Sequence, residues 1–357
     1  ILFGYYQGGL IVELIQKRYG FDKALELLRG FGDDLGLQET FDRALGMSSR
    51  QFDKLLLDYV EKDLLRGIKL VPRFDPRTMG RMAIAAKRDP KDMQSRINLS
   101  WGALQSNNPV DAGRWLAEVL RVEPDNGPAL LVRAEMLRRR GELDEAVKYW
   151  QRGFKFGADD FDSRITCGTV MLKLGDAAGA IDQWQRAKAC WPTCTEQANA
   201  PELRLAKLYR DQGEQTQAQM EMKSYCRRTA RAFAPRYTLA EFEKEAGNRR
   251  GELQYLIECN RIDPFYRELH ERMGEAYQAL GRLPEASLEF EVAAAVQPDA
   301  DRAYMSPGAE KPAADSDEEL RTRSRLRLRA AKLRHEVGDA ERRDNLLERV
   351  LQESRTS

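Results

Sequence analysis

Alanine, glycine and tryptophan recur at one fixed interval along the middle of this 357-residue sequence. The interval is 34 residues, and it separates Ala112, Ala146 and Ala180, Gly141 and Gly175, and Trp150 and Trp184. A period of this length is typical of stacked helix pairs, since one pair cannot bury its apolar face alone. The sequence therefore predicts an all-α fold that is built as a solenoid.

The residues between these markers resemble the tetratricopeptide repeat (TPR). Residues 267–298 match its pattern best, at Met273, Gly274, Tyr277, Gly281, Ala286, Phe290, Ala293 and Pro298. Small residues at Gly274 and Ala286 allow the two helices of a pair to cross closely. Gly281 is expected to end the first helix and Pro298 the second. The resemblance implies a right-handed TPR α-solenoid.

Weaker copies of the pattern extend this array, so that six repeats are predicted over residues 93–298. Four extra residues are assigned to a loop at residues 192–200. A helix from Thr78 to Lys87 is predicted to be the second half of another repeat, within a linker and half repeat at residues 67–92. Residues 299–317 contain Pro307, Gly308 and Pro312, and are predicted to be a linker. Residues 318–357 are predicted to form a degenerate repeat or capping helices.

The first 66 residues also predict helices, but without the repeat pattern. Leu10, Ile11, Leu14 and Ile15 form one apolar face, and Ser48 with Gln51 makes a capping box before another amphipathic helix. A small helical subdomain is therefore expected at residues 1–66, before the solenoid.

The run from Tyr5 to Gly20 is similar to the helical region that follows the zinc site in gluzincin (peptidase MA-like) metallopeptidases. The resemblance implies that Tyr5 donates its hydroxyl to the oxyanion of the hydrolysed carbonyl, or Tyr6 if the match shifts by one residue. A third interpretation is that both tyrosines pack where the helix begins. The zinc ligands of such enzymes, a His-Glu-x-x-His helix and a later glutamate, would precede Ile1. Zinc is thus expected only in a longer protein that includes this chain.

No metal site or cofactor is expected within residues 1–357. His270 and His335 each begin a sequence like the zinc motif, but the second histidine is replaced by Gly274 or Asp339. The five cysteines are scattered. Cys190 and Cys194 allow a local disulfide, while the alternative is that the cysteines are small buried side chains.

The net charge of +1 argues against a nucleic-acid partner, and no apolar run reaches the roughly 18 residues that a membrane span requires. The first helix of the last pair is basic from Arg321 to Arg334, but its charges spread around the cylinder, which favours a solvated face over a nucleic-acid site. Protein or peptide partners are expected instead.

The TPR resemblance places the binding groove on the first helix of each pair. Its second, fifth, ninth, twelfth and thirteenth positions supply the basic residues Arg138, Arg139, Lys173, Lys207 and Arg210. The acidic residues Glu241, Glu245, Glu268, Glu271 and Glu275 follow toward the C-terminus, and Trp101 and Tyr237 are candidate apolar anchors. Asparagines that would hold a chaperone tail are missing. The sequence thus predicts a scaffold for protein or peptide binding that forms the C-terminal part of a zinc metallopeptidase; the alternative is a structural scaffold with an inactive peptidase remnant.

Overall fold

Helices form all of the regular structure in the computed structural model, which describes residues 2–296 and 317–354. The first four are α1 (Leu2–Tyr19), α2 (Phe21–Gly32), α3 (Leu37–Leu45) and α4 (Ser49–Tyr59), and a π-helical turn (Val60–Leu64) follows. The others are α5 (Pro76–Arg88), α6 (Met93–Gln105), α7 (Pro109–Val122), α8 (Gly127–Arg139), α9 (Leu143–Lys155), α10 (Phe161–Lys173), α11 (Ala177–Cys190), α12 (Pro201–Asp211), α13 (Gln215–Cys226), α14 (Phe233–Glu245), α15 (Arg249–Asn260), α16 (Arg267–Ala279), α17 (Leu283–Ala295), α18 (Asp317–Glu336) and α19 (Ala340–Ser354). The all-α prediction is confirmed.

The chain divides into two compact units, Ile1–Val71 with Ala189–Pro192, and Pro72–Lys188 with Thr193–Ser357. In the first unit, Leu14 and Phe52 are almost fully buried, and Phe41 meets Phe52 edge-on with ring centroids 5.2 Å apart. The predicted capping box is present at the start of α4, since the Ser48 hydroxyl accepts from the Gln51 amide and Gln51 Oε1 accepts from the Ser48 amide. Local sequence therefore determines where α4 begins.

In the second unit, consecutive helices from α6 onward form antiparallel pairs, and α5 precedes them. Close crossing within a pair depends on small residues, as predicted. A Cβ atom at Gly274 would lie 2.7 Å from the Phe290 ring, and one at Gly168 would lie 2.7 Å from Trp184 Nε1. Neither distance is sterically possible unless the contacting side chain or its helix moves. The predicted linker and Pro298 lie outside the described residues, apart from Asp317, which begins α18.

The turn inside each pair needs a left-handed residue. Gly141, Gly175, Gly213, Gly247, Gly281 and Gly338 all have φ between 73° and 88°, and Asn107 takes this position in the first pair with φ 55°. Gly338 joins α18 to α19 by this same turn, so the C-terminal helices repeat the geometry of the preceding pairs.

A buried cation joins the two helices at the fourth position of several repeats. Arg96 Nε donates to Glu118 at 2.9 Å, Arg236 Nε donates to Glu258 at 2.8 Å, and Arg164 Nη1 donates to Gln183 Oε1 at 2.6 Å. His270 takes this position in the sixth repeat, with Nδ1 2.7 Å from Glu289 Oε2. These contacts satisfy polar groups that would otherwise be costly to bury.

All five cysteines are buried thiols, and no disulfide joins Cys190 to Cys194. Burial raises the pKa of Cys167 to about 12 and that of Cys259 to about 12. The interpretation of the cysteines as small packing residues is the one that the structure supports.

Candidate functional site

The predicted binding face lies on the first helices, and its side chains reach solvent. Ala134, Gly168, Ala206 and Ala240 on these helices are buried against the second helices. The side chains predicted to line the groove are all exposed or half-buried: Trp101, Arg138, Arg139, Lys173, Lys207, Arg210, Tyr237, Glu241, Glu245, Glu268, Glu271 and Glu275. The helical register therefore separates the packing residues from this face.

Glu135 neutralises part of the predicted basic surface on α8. Its carboxylate accepts from Arg138 Nε at 2.7 Å and from Arg139 Nε at 2.7 Å. Burial of Glu135 opposes ionisation, but the hydrogen bonds from the two arginines outweigh it and lower the pKa of this carboxyl. Arg139 also donates to the Leu104 carbonyl at 2.6 Å, which ties the second repeat to the first. Arg138 and Arg139 therefore stabilise the array more than they offer charge to a partner.

The remaining predicted cations are unneutralised. Lys173, Lys207 and Arg210 are exposed, and within the described residues no carboxylate lies within 4.0 Å of them. Asp211 is one turn beyond Lys207 on the same helix, but it makes no such contact. On the predicted face, the cations without a carboxylate are therefore those of α10 and α12.

Arg204, which sequence reasoning missed, lies among these cations. It donates to the Ala198 carbonyl at 2.9 Å and contacts Thr169 Oγ1 at 3.5 Å, while its buried Nε finds no acceptor in the described part of the chain. Burial lowers the pKa of this guanidinium. Arg204 is thus a half-buried cation without a carboxylate.

Two other arginines occupy the same register position as Arg204, nine residues before the turn glycine of their repeats. Arg272 lies 3.5 Å from Glu241 of the preceding repeat, and Arg329 lies 3.3 Å from Glu275. Arg204 makes its equivalent contact with Thr169, because the third repeat has threonine where the fifth and sixth have Glu241 and Glu275. Position 169 on α10 therefore lacks the carboxylate that Glu241 and Glu275 supply at the equivalent positions of their helices.

The acidic end of the predicted face is largely occupied by charges of the chain itself. Glu271 pairs with Arg325 at 3.2 Å, and Glu275 pairs with Arg329 and, at 3.8 Å, with Lys244. The Arg325 side chain is 67% exposed in this contact, which agrees with the predicted solvated face, while Arg329 is half-buried. Arg323 and Arg334 are buried, whereas Arg321, Arg325 and Lys332 are exposed, so only some of the basic residues of α18 are structural. Glu245 and Glu268 have no basic partner within 4.0 Å among residues 2–296 and 317–354.

Tyr237 belongs to an aromatic cluster. Its ring stacks on Phe233 with centroids 5.8 Å apart and meets Tyr266 edge-on at 5.9 Å, while the Arg272 guanidinium lies 4.3 Å from its centroid. Tyr237 is half-buried in this cluster, whereas neighbouring Phe265 is 59% exposed. Trp101 is half-buried against the core of the first repeat. Both predicted anchors thus retain an accessible edge.

Tyr5 and Tyr6 lie on α1 with 78% and 66% of their surfaces exposed. The interpretation in which both tyrosines pack where the helix begins is therefore wrong. No hydrogen bond holds either hydroxyl within the described residues. The structure offers no support for the oxyanion role implied by the peptidase resemblance.

The donor set of the described residues does not fit zinc. They contain no group of three or more histidine, cysteine, aspartate or glutamate side chains that is arranged to hold a metal ion. His270 uses Nδ1 toward Glu289 and Nε2 toward the Pro264 carbonyl, so both ring nitrogens are engaged. None of the described helices has the length and apolar character needed to cross a membrane.

No protein-family model and no curated protein matches this chain. Among solved structures, it is similar to the C-terminal part of a TPR repeat-containing protein from Cytophaga hutchinsonii, at 14% identity over 73% of this chain and 96% of that one, with a TM-score of 0.44. It is also similar to MamA, at 15% identity over 52% and 98% of the two chains and a TM-score of 0.39. YrrB, a TPR protein with an unusual peptide-binding site, shows 17% identity over 63% and 96%, with a TM-score of 0.32. At these values, only the contacts within this chain bear on its function.

Proposed function

We propose that this chain is a scaffold that binds an acidic segment of a partner protein across α10 and α12. The observation that supports it is the register comparison, in which Arg204 meets Thr169 where Arg272 and Arg329 meet glutamates. An aspartate or glutamate of the partner would supply the missing carboxylate. Charge-assisted hydrogen bonds to a guanidinium are among the strongest that proteins form.

The surrounding residues extend this site along the two helices. Lys173 follows Thr169 by one turn on α10, and Lys207 and Arg210 follow Arg204 on α12. Residues three or four positions apart share one side of a helix, so these cations continue the same face. A segment with several acidic residues is therefore favoured over a single anion, and its binding should weaken as salt increases.

The test measures the binding of a fluorescein-labelled acidic peptide to the full chain by anisotropy. Reversal of both Lys207→Glu and Arg210→Glu should weaken binding by about tenfold or more and flatten its salt dependence, since like charges then face the peptide. The matched control reverses Arg121 and Arg140, which are exposed and have no carboxylate within 4.0 Å in the described residues. Equal affinity in the reversed and control proteins would overturn the proposal.

A purely structural scaffold is the alternative, and it predicts no saturable peptide binding at this face. Zinc-dependent hydrolysis by a longer protein remains a separate hypothesis from the peptidase resemblance. Within residues 2–296 and 317–354 the donors do not fit zinc, so no catalytic step is assigned to them.

A further inference from the structure

A second groove lies along α15, which is the second helix of its pair. Two neighbouring pockets of about 550 and 440 Å³ lie along α15, and Gln254 and Glu258 line both of them; together they are called the α15 groove. One end reaches the turn between α16 and α17, and the other reaches the end of α13. The groove is formed within the second unit and is separate from the face of the first helices.

The floor of the larger pocket is apolar. Leu253 is buried, and Ile257 and Leu280 are half-buried beside it. Exposed apolar surface in a concave site favours an apolar side chain of a ligand, because its burial removes both surfaces from water.

Three arginines without a counter-charge line the two pockets. Arg250 and Arg261 line the larger pocket and Arg227 lines the smaller one, and in the described part of the chain no carboxylate lies within 4.0 Å of any of them. The nearby acids are already engaged, since Glu258 accepts from Arg236 at 2.8 Å and Glu285 accepts from Arg282 at 2.7 Å. The rim of the groove is therefore positively charged.

The arginines are also spaced along the groove. Arg250 lies near the start of α15 and Arg261 follows its last residue, so the two are eleven residues apart, which corresponds to about 16 Å along a helix. Two acidic groups on either side of a large apolar side chain would meet this arrangement. A nucleic acid would use the charge but not the apolar floor, and the chain's net charge is only +1.

We infer that the α15 groove is a second docking surface, which binds an acidic segment of a partner protein with a large apolar residue between its acidic residues. The α15 groove lies on the second helix of a pair, whereas the face on α10 and α12 lies on first helices. One chain can then hold two acidic segments on different helices.

The test uses the full chain with the photo-crosslinking residue p-benzoylphenylalanine in place of exposed Gln254, which borders both pockets. The probe is a labelled peptide with acidic ends and a central leucine–phenylalanine pair. Cross-linking should be saturable, and Arg250→Glu with Arg261→Glu should reduce the apparent affinity by about fivefold or more. Replacement of the central pair by two serines should reduce it similarly.

The Lys207→Glu, Arg210→Glu protein distinguishes this site from the first one. That variant should retain cross-linking at position 254 even where it loses peptide binding on α10 and α12, and reversal of Arg121 and Arg140 should have no effect. The inference is overturned if no saturable cross-link forms or if the Arg250, Arg261 reversal leaves it unchanged. It is also overturned if single-stranded DNA competes as well as the peptide, which would indicate a nucleic-acid site.

Discussion

The third and fourth repeats differ from the last three in how one recurring arginine is satisfied. In the last three, Arg272 and Arg329 meet Glu241 and Glu275, so the charges on neighbouring first helices neutralise each other. In the third and fourth, Arg204 meets Thr169 in place of a carboxylate and also donates to the Ala198 carbonyl. An arginine at this position thus pairs with a glutamate in the last three repeats, which are called the closed region. It lacks a carboxylate in the third and fourth repeats, which are called the open region. Under the proposed function, a partner's acidic residue occupies the position beside Arg204 where the third repeat has no carboxylate.

The largest expected effect is local unfolding of the open region. Ala180 is fully buried where α11 crosses α10, and a Cβ at Gly168 would lie 3.1 Å from its carbonyl oxygen. Ala180→Trp should therefore separate α10 from α11 and destabilise the protein by about 1–3 kcal/mol or more. Thermal unfolding measures the loss, and hydrogen exchange should locate it in α10–α12 and spare α16–α19.

Ala178→Trp is the matched control, because Ala178 lies on the same helix but is exposed. It should change the unfolding temperature little. Equal destabilisation by the two variants would contradict the proposed register of the third repeat.

The next prediction adds a carboxylate at position 169, beside Arg204. Thr169→Glu should give Arg204 the partner that its equivalents have, and so compete with an acidic peptide. The expected loss of affinity is about tenfold, or 1.4 kcal/mol. Thr169→Gln has the same length without the charge and should weaken binding much less. If both variants weaken it equally, crowding and not charge is responsible.

The converse prediction removes the carboxylate at position 275, beside Arg329. Glu275→Gln should remove the charge that pairs with Arg329 and Lys244, and lower the free energy of unfolding by about 0.5–1 kcal/mol, as is usual for partly exposed pairs. Denaturant titration measures this change. Glu245→Gln is the control, since the described residues place no cation within 4.0 Å of Glu245. A loss as large in the control would show that the pairing is not the cause.

The sequence predicted the parts of this comparison that depend on local register. The period of 34 residues located the helix pairs, the turn glycines and the exposure of the groove positions, because helix amphipathicity and turn chemistry are local. It placed Arg138 and Arg139 correctly on the face but did not show that Glu135 holds both.

The contacts between neighbouring first helices could not be predicted in this way. Arg204 meets Thr169, and Arg329 meets Glu275, with an offset that is set by the rotation from one pair to the next. That rotation is a tertiary property, and no single repeat encodes it. The signal was nonetheless present, since Arg204, Arg272 and Arg329 each precede a turn glycine by nine residues.

The smallest expected effect is a pH dependence confined to the closed region. His270 occupies the position of Arg96, Arg164 and Arg236, but its charge can be lost. Its ring nitrogens face the Glu289 carboxylate at 2.7 Å and the Pro264 carbonyl at 2.8 Å, and both partners only accept hydrogen bonds. The geometry therefore requires the doubly protonated imidazolium.

Burial of His270 opposes the positive charge, but the hydrogen bonds to Glu289 and Pro264, with nearby Asp263, outweigh it and raise the pKa above 6.5. A raised folded-state pKa means that the stabilisation is complete below pH 6.5 and is lost as pH rises through the folded pKa. The free energy of unfolding should therefore fall over this range, with increased hydrogen exchange in α16 and α17. His270→Arg, the residue of the equivalent positions, should abolish the dependence, and loss of the exposed His335 by His335→Gln should preserve it. A pH dependence of stability that persists in His270→Arg would belong to another titrating group. Hydrogen exchange in the open region around Arg204 should not change with pH in this way in any of these proteins.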